Sequence, residues 1–280
     1  MERTAIRLGG VELSSSVMNA SGPHSAEKEE LLELAAHHRG AIVFKSCNQA
    51  GLDKPDNLKN RGVAHFVSVA GELNPRGKAI IGSVVGESDD EIVKVAKTLD
   101  GAGVKIIELN FADDFVQNAV APYASLDRLK GLVARVRGEV QAKLALKLPS
   151  KLSIEPQAVV AMLLAAQVQI VLCANDLPKD LQVDLKRGIA SGADRGLSQV
   201  NTFARATKGS LDIVAVGGIN TGRDAYIAHL TGAKAVQVGS ALIREGAGAL
   251  ARIDSELGQL LSDNGHASVN DIIGKLTFAG

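Results

Sequence analysis

Two short apolar runs end on residues small enough to let an anion approach the main chain: Val214-Ala215-Val216-Gly217-Gly218 and Ala235-Val236-Gln237-Val238-Gly239-Ser240. A strand that stops at glycine can lay backbone N–H groups against a ligand, because no Cβ blocks the approach. Two such ends in tandem suggest a phosphate held between neighbouring strand-to-helix turns, where (β/α)8 barrels bind phosphate after their seventh and eighth strands. Other apolar runs end on Ala20-Ser21, Lys45-Ser46, Asn110, Lys147 and Asn175. Lysines in such places stabilise an anionic ring or developing negative charge. Lys147 alone would also suit a Schiff-base nucleophile, and the plain alternative for Lys45 is a surface side chain with its head in water. The sequence has no HExxH, no CxxC pair and no P-loop, and its six histidines show no metal-site spacing, so no metal is expected.

Those residues need strands to carry them to one place. Apolar runs of strand length occur at Val17–Asn19, Ala41–Phe44, Ala79–Val85, Val104–Leu109, Leu144–Leu148, Val168–Cys173, Ile213–Val216 and Ala235–Val238. Helical patterns separate them, at Leu31–Ala35, Asp90–Ala102, Ser125–Val140, Glu155–Ala166, Ser198–Thr207 and Arg223–Leu230. Alternation of this kind implies a parallel sheet with right-handed crossovers, and eight repeats favour closure into a barrel. Residues 1–16 read as a small hairpin turning at Gly9-Gly10, placed to cap the bottom of that barrel. Ser25 is expected to N-cap the first helix, with Lys28 standing where a capping box would want Glu or Gln. His65–Val69 reads as a short extended piece between loops at Asn48–Arg61 and Gly71–Gly77. Asp176–Gly196 has no clear period and reads as a loop over the mouth.

Composition narrows the function classes. A chain of 280 residues, 46% hydrophobic and 22% charged, suits one α/β barrel spanning residues 1–280. Zero net charge favours neither nucleic acid nor an acidic membrane as partner, and 3% aromatic content supplies few stacking platforms for bases. Cys47 and Cys173 read as buried small hydrophobes in a reducing compartment. No apolar run is long enough to span a membrane and no signal-peptide pattern opens the chain, so the expected location is the cytoplasm.

A resemblance joins these observations. Met18-Asn19-Ala20-Ser21-Gly22, Phe44-Lys45-Ser46, Glu108-Leu109-Asn110, Leu146-Lys147-Leu148-Pro149, Gly217 to Ala225 and Val236 to Leu242, in that order, resemble the dihydroorotate dehydrogenase family. Ile272-Ile273-Gly274-Lys275-Leu276 resembles that family's C-terminus. The likeness runs over nearly the whole chain. Without an N-terminal membrane-associating extension, it points to the class 1 branch. It implies FMN at the top of a (β/α)8 barrel, a small-molecule substrate, a role in pyrimidine biosynthesis and a homodimer. By position, Ala20 and Ser21 would approach the isoalloxazine. Lys45, Ser46, Asn110 and Lys147 would line its polar edge or the substrate. Gly217, Gly218, Gly239 and Ser240 would hold the phosphate, joined by Gly192 from the preceding loop. The family's reaction oxidises dihydroorotate to orotate, a base taking the C5 proton while hydride leaves C6 for the flavin.

Three departures bear on that chemistry. Asp113 stands where class 1 members usually carry the catalytic Cys, so it becomes the candidate base if burial raises its pKa; a solvated loop Asp beside Asp114 is the other reading. The resemblance places the family's substrate-binding loop at Val67–Leu73, where Val67 stands in place of its first Asn. Asn175-Asp176 keeps the Asn but not the hydroxyl expected after it. A site built on hydrogen bonds to a polar ring discriminates strongly against losing them. Three functions therefore remain open: an FMN oxidoreductase of the dihydroorotate dehydrogenase type, a flavin-binding homologue with lost or altered chemistry, and a non-flavin isomerase or aldolase using Lys147.

Overall fold

The computed structural model describes residues 3–22, 24–53, 59–112, 125–152, 154–175, 181–191 and 198–278. A hairpin of β1 (Ile6–Leu8) and β2 (Val11–Leu13) leads into β3 (Val17–Asn19), α1 (Lys28–His37) and β4 (Ile42–Val43). Then come α2 (Val63–Leu73), β5 (Ile80–Val84), α3 (Asp89–Gly101), β6 (Ile106–Asn110), α4 (Leu126–Glu139), β7 (Lys143–Lys147), α5 (Pro156–Ala165) and β8 (Ile170–Ala174). A second hairpin, β9 (Gln182–Asp184) and β10 (Ile189–Ser191), precedes α6 (Gln199–Thr207), β11 (Asp212–Val216), α7 (Gly222–Leu230) and β12 (Ala235–Val238). The short α8 (Ser240–Glu245), α9 (Gly248–Asp263) and β13 (Thr277–Phe278) follow. The principal sheet has eight parallel strands in the order β3-β12-β11-β8-β7-β6-β5-β4. It is a (β/α)8 TIM barrel.

The sheet's two end strands meet through side chains. The Asn19 amide donates to the Val43 carbonyl at 2.6 Å and accepts from the Val43 N–H at 2.9 Å, as a neighbouring peptide would. Lower on the same seam, the His38 ring donates through Nε2 to the Val17 carbonyl at 2.7 Å. A Cβ at Gly40 would lie 2.4 Å from both that nitrogen and that carbonyl, which is why glycine stands there. Burial holds the His38 imidazole below its ordinary pKa.

The floor is the β1–β2 hairpin, as expected. Gly9, at φ +55°, packs against Ile170, and its N–H donates to the Asp212 carboxylate at 2.7 Å. Both partners stand at strand starts. Leu8 rises between Met18, Ile81, Ile106 and Ile170, leaving a void of only about 10 Å³ inside the barrel. That is at most one water molecule, so the interior is packed core.

Four expectations are corrected. His65–Val69 is helical, within α2, with Val63, Phe66, Val69, Ala70 and Leu73 buried and Phe66 stacked on Phe44 at 5.1 Å. The expected loop from Gly71 begins inside α2 and continues as a 3-10 turn at Asn74–Arg76. Ser25 does not cap α1: its hydroxyl donates to the Gly22 carbonyl, and the N-cap residue is Glu27. The Glu30 carboxylate accepts there from the Ala26 and Glu27 N–H groups. The stretch read as a loop over the mouth contains β9 and β10, with β13 pairing parallel to β10.

Candidate active site

Parallel register brings the candidate residues level. Asn110 pairs with Lys147, Val238 with Asn19, and Val216 with Ala174, so the residues after each sit around one rim. Alternation then sorts the side chains. In Ile106-Ile107-Glu108-Leu109-Asn110, Ile106 and Glu108 line the barrel interior, and Asn110 follows at the same parity.

β4 supplies two groups through a local irregularity. The Phe44 N–H donates to the Ile81 carbonyl, and the next bond to β5 comes from Cys47 N–H to Ser83. Three residues on one strand thus span two on the other, as in a bulge. The intervening N–H groups turn the other way, Lys45 donating to the Ser25 carbonyl and Ser46 to the Ser21 carbonyl. Lys45 and Ser46 are both buried at this point.

Beneath the rim lies a closed polar layer whose hub is Glu108, with no exposed surface. Its Oε1 accepts from Ser21 Oγ at 2.9 Å and Ser83 Oγ at 2.8 Å, and its Oε2 accepts from Gln237 Nε2 at 2.7 Å. Lys147 Nζ stands 3.7 Å from Oε1 and donates to Ser21 Oγ at 3.1 Å. Ser46 Oγ lies 2.9 Å from Ser83 Oγ and accepts from Asn110 Nδ2 at 2.8 Å. A buried carboxylate is tolerated only when its lone pairs are met, and here it meets one ammonium and three neutral donors. Sequence reasoning missed Glu108, Ser83 and Gln237 as site-building residues. The signal was an acidic residue and a glutamine inside otherwise apolar strands, which buried positions rarely accept without partners.

The opposite rim is made of main chain. Gly217 and Gly218 have φ of +99° and +70°, conformations that cost an L-residue energy. Both are exposed, and a Cβ on Gly217 would meet no atom within 4 Å. Asn175 holds this turn, its N–H donating to the Val216 carbonyl and its Nδ2 to the Gly217 carbonyl at 3.2 Å. Its Oδ1 is buried with no hydrogen-bond partner among the described residues. Further along, Asp224 Oδ2 accepts from the Asn220 and Thr221 N–H groups, and Arg252 donates to the Asn220 carbonyl. A Cβ at Gly222 would sit 2.4 Å from Glu256 Cβ, so glycine permits α7 and α9 to touch. Gly239 faces Ala20, its added Cβ lying 3.9 Å from that of Ala20, and Ser240 is exposed beside it.

The structure thus brings Ala20, Ser21, Lys45, Ser46, Asn110, Lys147, Gly217, Gly218, Gly239 and Ser240 to the C-terminal strand ends. Asp113 and Gly192 lie outside the described residues. Val67 belongs to α2 and packs on the hydrophobic core, so it does not occupy a loop at the mouth. Cys47 and Cys173 are free and buried, and burial pushes both thiols far above their ordinary range. Neither can supply a thiolate. A separate cavity of about 260 Å³, lined by Thr207, Asp212, Lys234 and Gly274, opens near the strand starts, away from these groups.

Comparison with known proteins decides the family. A family model described as dihydroorotate dehydrogenase matches residues 56–261. The chain belongs to the dihydroorotate dehydrogenase family. Among its relatives in that family, a Streptococcus equi subsp. equi protein provisionally named dihydroorotate dehydrogenase A (fumarate) is 26% identical, with 99% of each chain covered. A Streptococcus uberis protein of the same provisional name is 27% identical over the same shares. The fold matches ligand-free dihydroorotate dehydrogenase from Eimeria tenella with a TM-score of 0.80, at 19% identity, over 98% of this chain and 92% of that one. This family member is therefore a dihydroorotate dehydrogenase-like oxidoreductase. Among the described residues, no helix is long and apolar enough to cross a membrane.

Proposed function

We propose that the chain is one FMN-binding domain over residues 1–280, oxidising dihydroorotate or a related CH–CH substrate. The observation that carries this reading is the meeting, at one barrel mouth, of the Lys147 and Asn110 donors with the glycine turn at Gly217-Gly218. FMN, when bound, supplies the two-electron acceptor. Ala20 and Ser21 would lie against its ring system, while Lys45, Ser46, Asn110 and Lys147 face its polar edge or the substrate. Gly217, Gly218, Gly239 and Ser240 would receive the phosphate, and Gly192 is proposed as a further contact. Two observations support the fit: the open Cβ position at Gly217 and the unpartnered buried Oδ1 of Asn175. An ammonium fixed close to the mouth would stabilise negative charge on a bound ring.

The test is direct. The purified protein should be yellow, and anaerobic dihydroorotate should bleach it; bound flavin that stays oxidised would refute the substrate. Fumarate, named for the streptococcal relatives, is the first oxidant to supply for reoxidation. Sedimentation should give a homodimer, and fractionation should place the protein in the cytoplasm.

One observation favours a second reading, a flavin-binding homologue with altered chemistry. Both cysteines are too deeply buried to act as base, so the proton must go to another group. Asp113 is the candidate, and Asp113→Ala should abolish flavin reduction while leaving FMN bound. Unchanged reduction would remove Asp113 from the mechanism.

A further inference from the structure

We propose that Glu108 is a positioning residue that fixes the direction of every hydrogen bond around it. Ser21 and Ser46 then offer only lone pairs towards the mouth, and Lys147 and Asn110 offer only N–H groups. The inference deepens the FMN reading and rests on it for its ligand, but its geometric part does not need the flavin.

A count of protons fixes these directions. An ionised carboxylate accepts and cannot donate, and a serine hydroxyl has one proton. Ser21 and Ser83 lie 2.9 Å and 2.8 Å from Glu108 Oε1, so each directs its proton there. Ser83 then has only lone pairs for Ser46, and the 2.9 Å contact between them takes the Ser46 proton. Ser46 in turn accepts from Asn110 Nδ2 at 2.8 Å, and Ser21 accepts from Lys147 Nζ at 3.1 Å. All three hydroxyl protons therefore point towards the carboxylate. Asn110 Oδ1 is engaged by the Ala112 N–H at 3.0 Å, which leaves the amide its second N–H. Lys147 has three N–H groups, one given to Ser21 and one facing Glu108, and its side chain remains 13% exposed.

Such an array selects by polarity. An occupant is received if it turns carbonyl, ring-nitrogen or carboxylate acceptors to Lys147 and Asn110. An occupant presenting N–H groups to those two donors leaves buried donors unpaired and is rejected. Replacing Glu108 by Gln removes the charge that balances Lys147, while the new amide can keep its oxygen on Ser21 and Ser83 and turn its NH2 to the Gln237 Oε1, which has no hydrogen-bond partner among the described residues. The ammonium, no longer compensated, would favour a more negative occupant.

Two measurements test this. Neutron diffraction from deuterium-exchanged crystals of the full chain should show the Ser21 and Ser83 deuterons directed at Glu108 and that of Ser46 directed at Ser83. A Ser46 deuteron turned to the mouth would overturn the proposal, whether or not flavin is bound. In the FMN-loaded protein, Glu108→Gln should raise the affinity for reduced over oxidised FMN at least tenfold, about 30 mV for a two-electron couple. A folded variant with an unchanged ratio would also overturn it. If Glu108→Gln does not fold, Ser83→Ala decides by diffraction: it removes the acceptor of the Ser46 proton and leaves the Lys147–Glu108 pair, so the Ser46 deuteron must leave its wild-type direction, and one that keeps that direction would overturn the proposal. Failure of the wild-type chain to hold FMN would sink the flavin reading alone, and the deuteron positions would still decide the role of Glu108.

Discussion

The two sides of the barrel mouth are built by opposite means. Around β5, β6 and β7 side chains do the work: one buried carboxylate collects Ser83 and Lys147 there, with Ser21 and Gln237 reaching it from beyond β3 and from β12, and chemical identity is everything. On the β11–β12 side the working surface is backbone, and what matters at Gly217 and Gly218 is the lack of a side chain. The first side should fail when a charge is removed, the second when a methyl group is added.

The largest effect expected from this contrast is Glu108→Ala. It leaves the Lys147 ammonium without its counter-charge, and breaking a buried pair on one side costs about 3–5 kcal/mol. Urea unfolding should show that loss, and Glu108→Ala/Lys147→Ala should lose less than the sum of the single changes. Additive losses would mean the two groups are uncoupled.

Acid should act next, through the support of the glycine side. His229 in α7 donates through Nδ1 to the Ala233 carbonyl at 2.8 Å, so its Nε2 accepts from the Ser16 hydroxyl at 3.0 Å. Burial lowers its pKa to about 4, against 6.5 for the free side chain. The unfolded chain therefore binds this proton first. Stability is complete above pH 6.5 and falls as pH drops towards 4, by about 3 kcal/mol. His229→Gln should flatten that part of the pH–stability curve; a curve that keeps its slope would assign the acid loss elsewhere.

Gly218→Ala comes third, because its φ of +70° costs an L-residue about 1–2 kcal/mol. Thermal melts should register that cost, with weaker FMN binding by fluorescence titration. The smallest effect is Gly239→Ala, since φ there is −119° and the new methyl meets Ala20 at an ordinary 3.9 Å. Stability should stay within about 0.5 kcal/mol of wild type while FMN affinity drops. An equal fall in stability for both glycines would erase the distinction between strain and access.

Much of this was legible before any coordinates. Parallel strands announce themselves as apolar runs through their period, and the helical patterns that open at Ser125 and Ser198 do begin there, each serine capping its helix. Strand-end residues were legible too, because in this architecture the end of a strand is a position in space. α2 was misread because Val-, Phe- and His-rich residues favour extended structure over a short window. Its helical spacing shows only from Val63 through to Leu73, and packing of Phe66 on Phe44 decides it. The Glu108 layer was hidden for another reason: it joins residues from six separate strand regions, and no local pattern carries that information.

The seam closed by Asn19 has a consequence in time. β5 to β8, β11 and β12 each pair with the barrel strand made just before them, but among the described residues the only ladder of β3 is with β12, where Val17 meets Val236. The first barrel strand to be synthesised thus waits for the last. Until β12 is complete, the growing chain has an unclosed sheet in which β3 is held beside β4 by the Asn19 and His38 side chains and lacks its backbone ladder. Contacts of such sequence separation form slowly, and a nascent chain in that condition exposes pairing edges to its neighbours. Closure is then a single late event, in which β3, already carrying a side-chain substitute for a partner on one side, gains a backbone partner on the other.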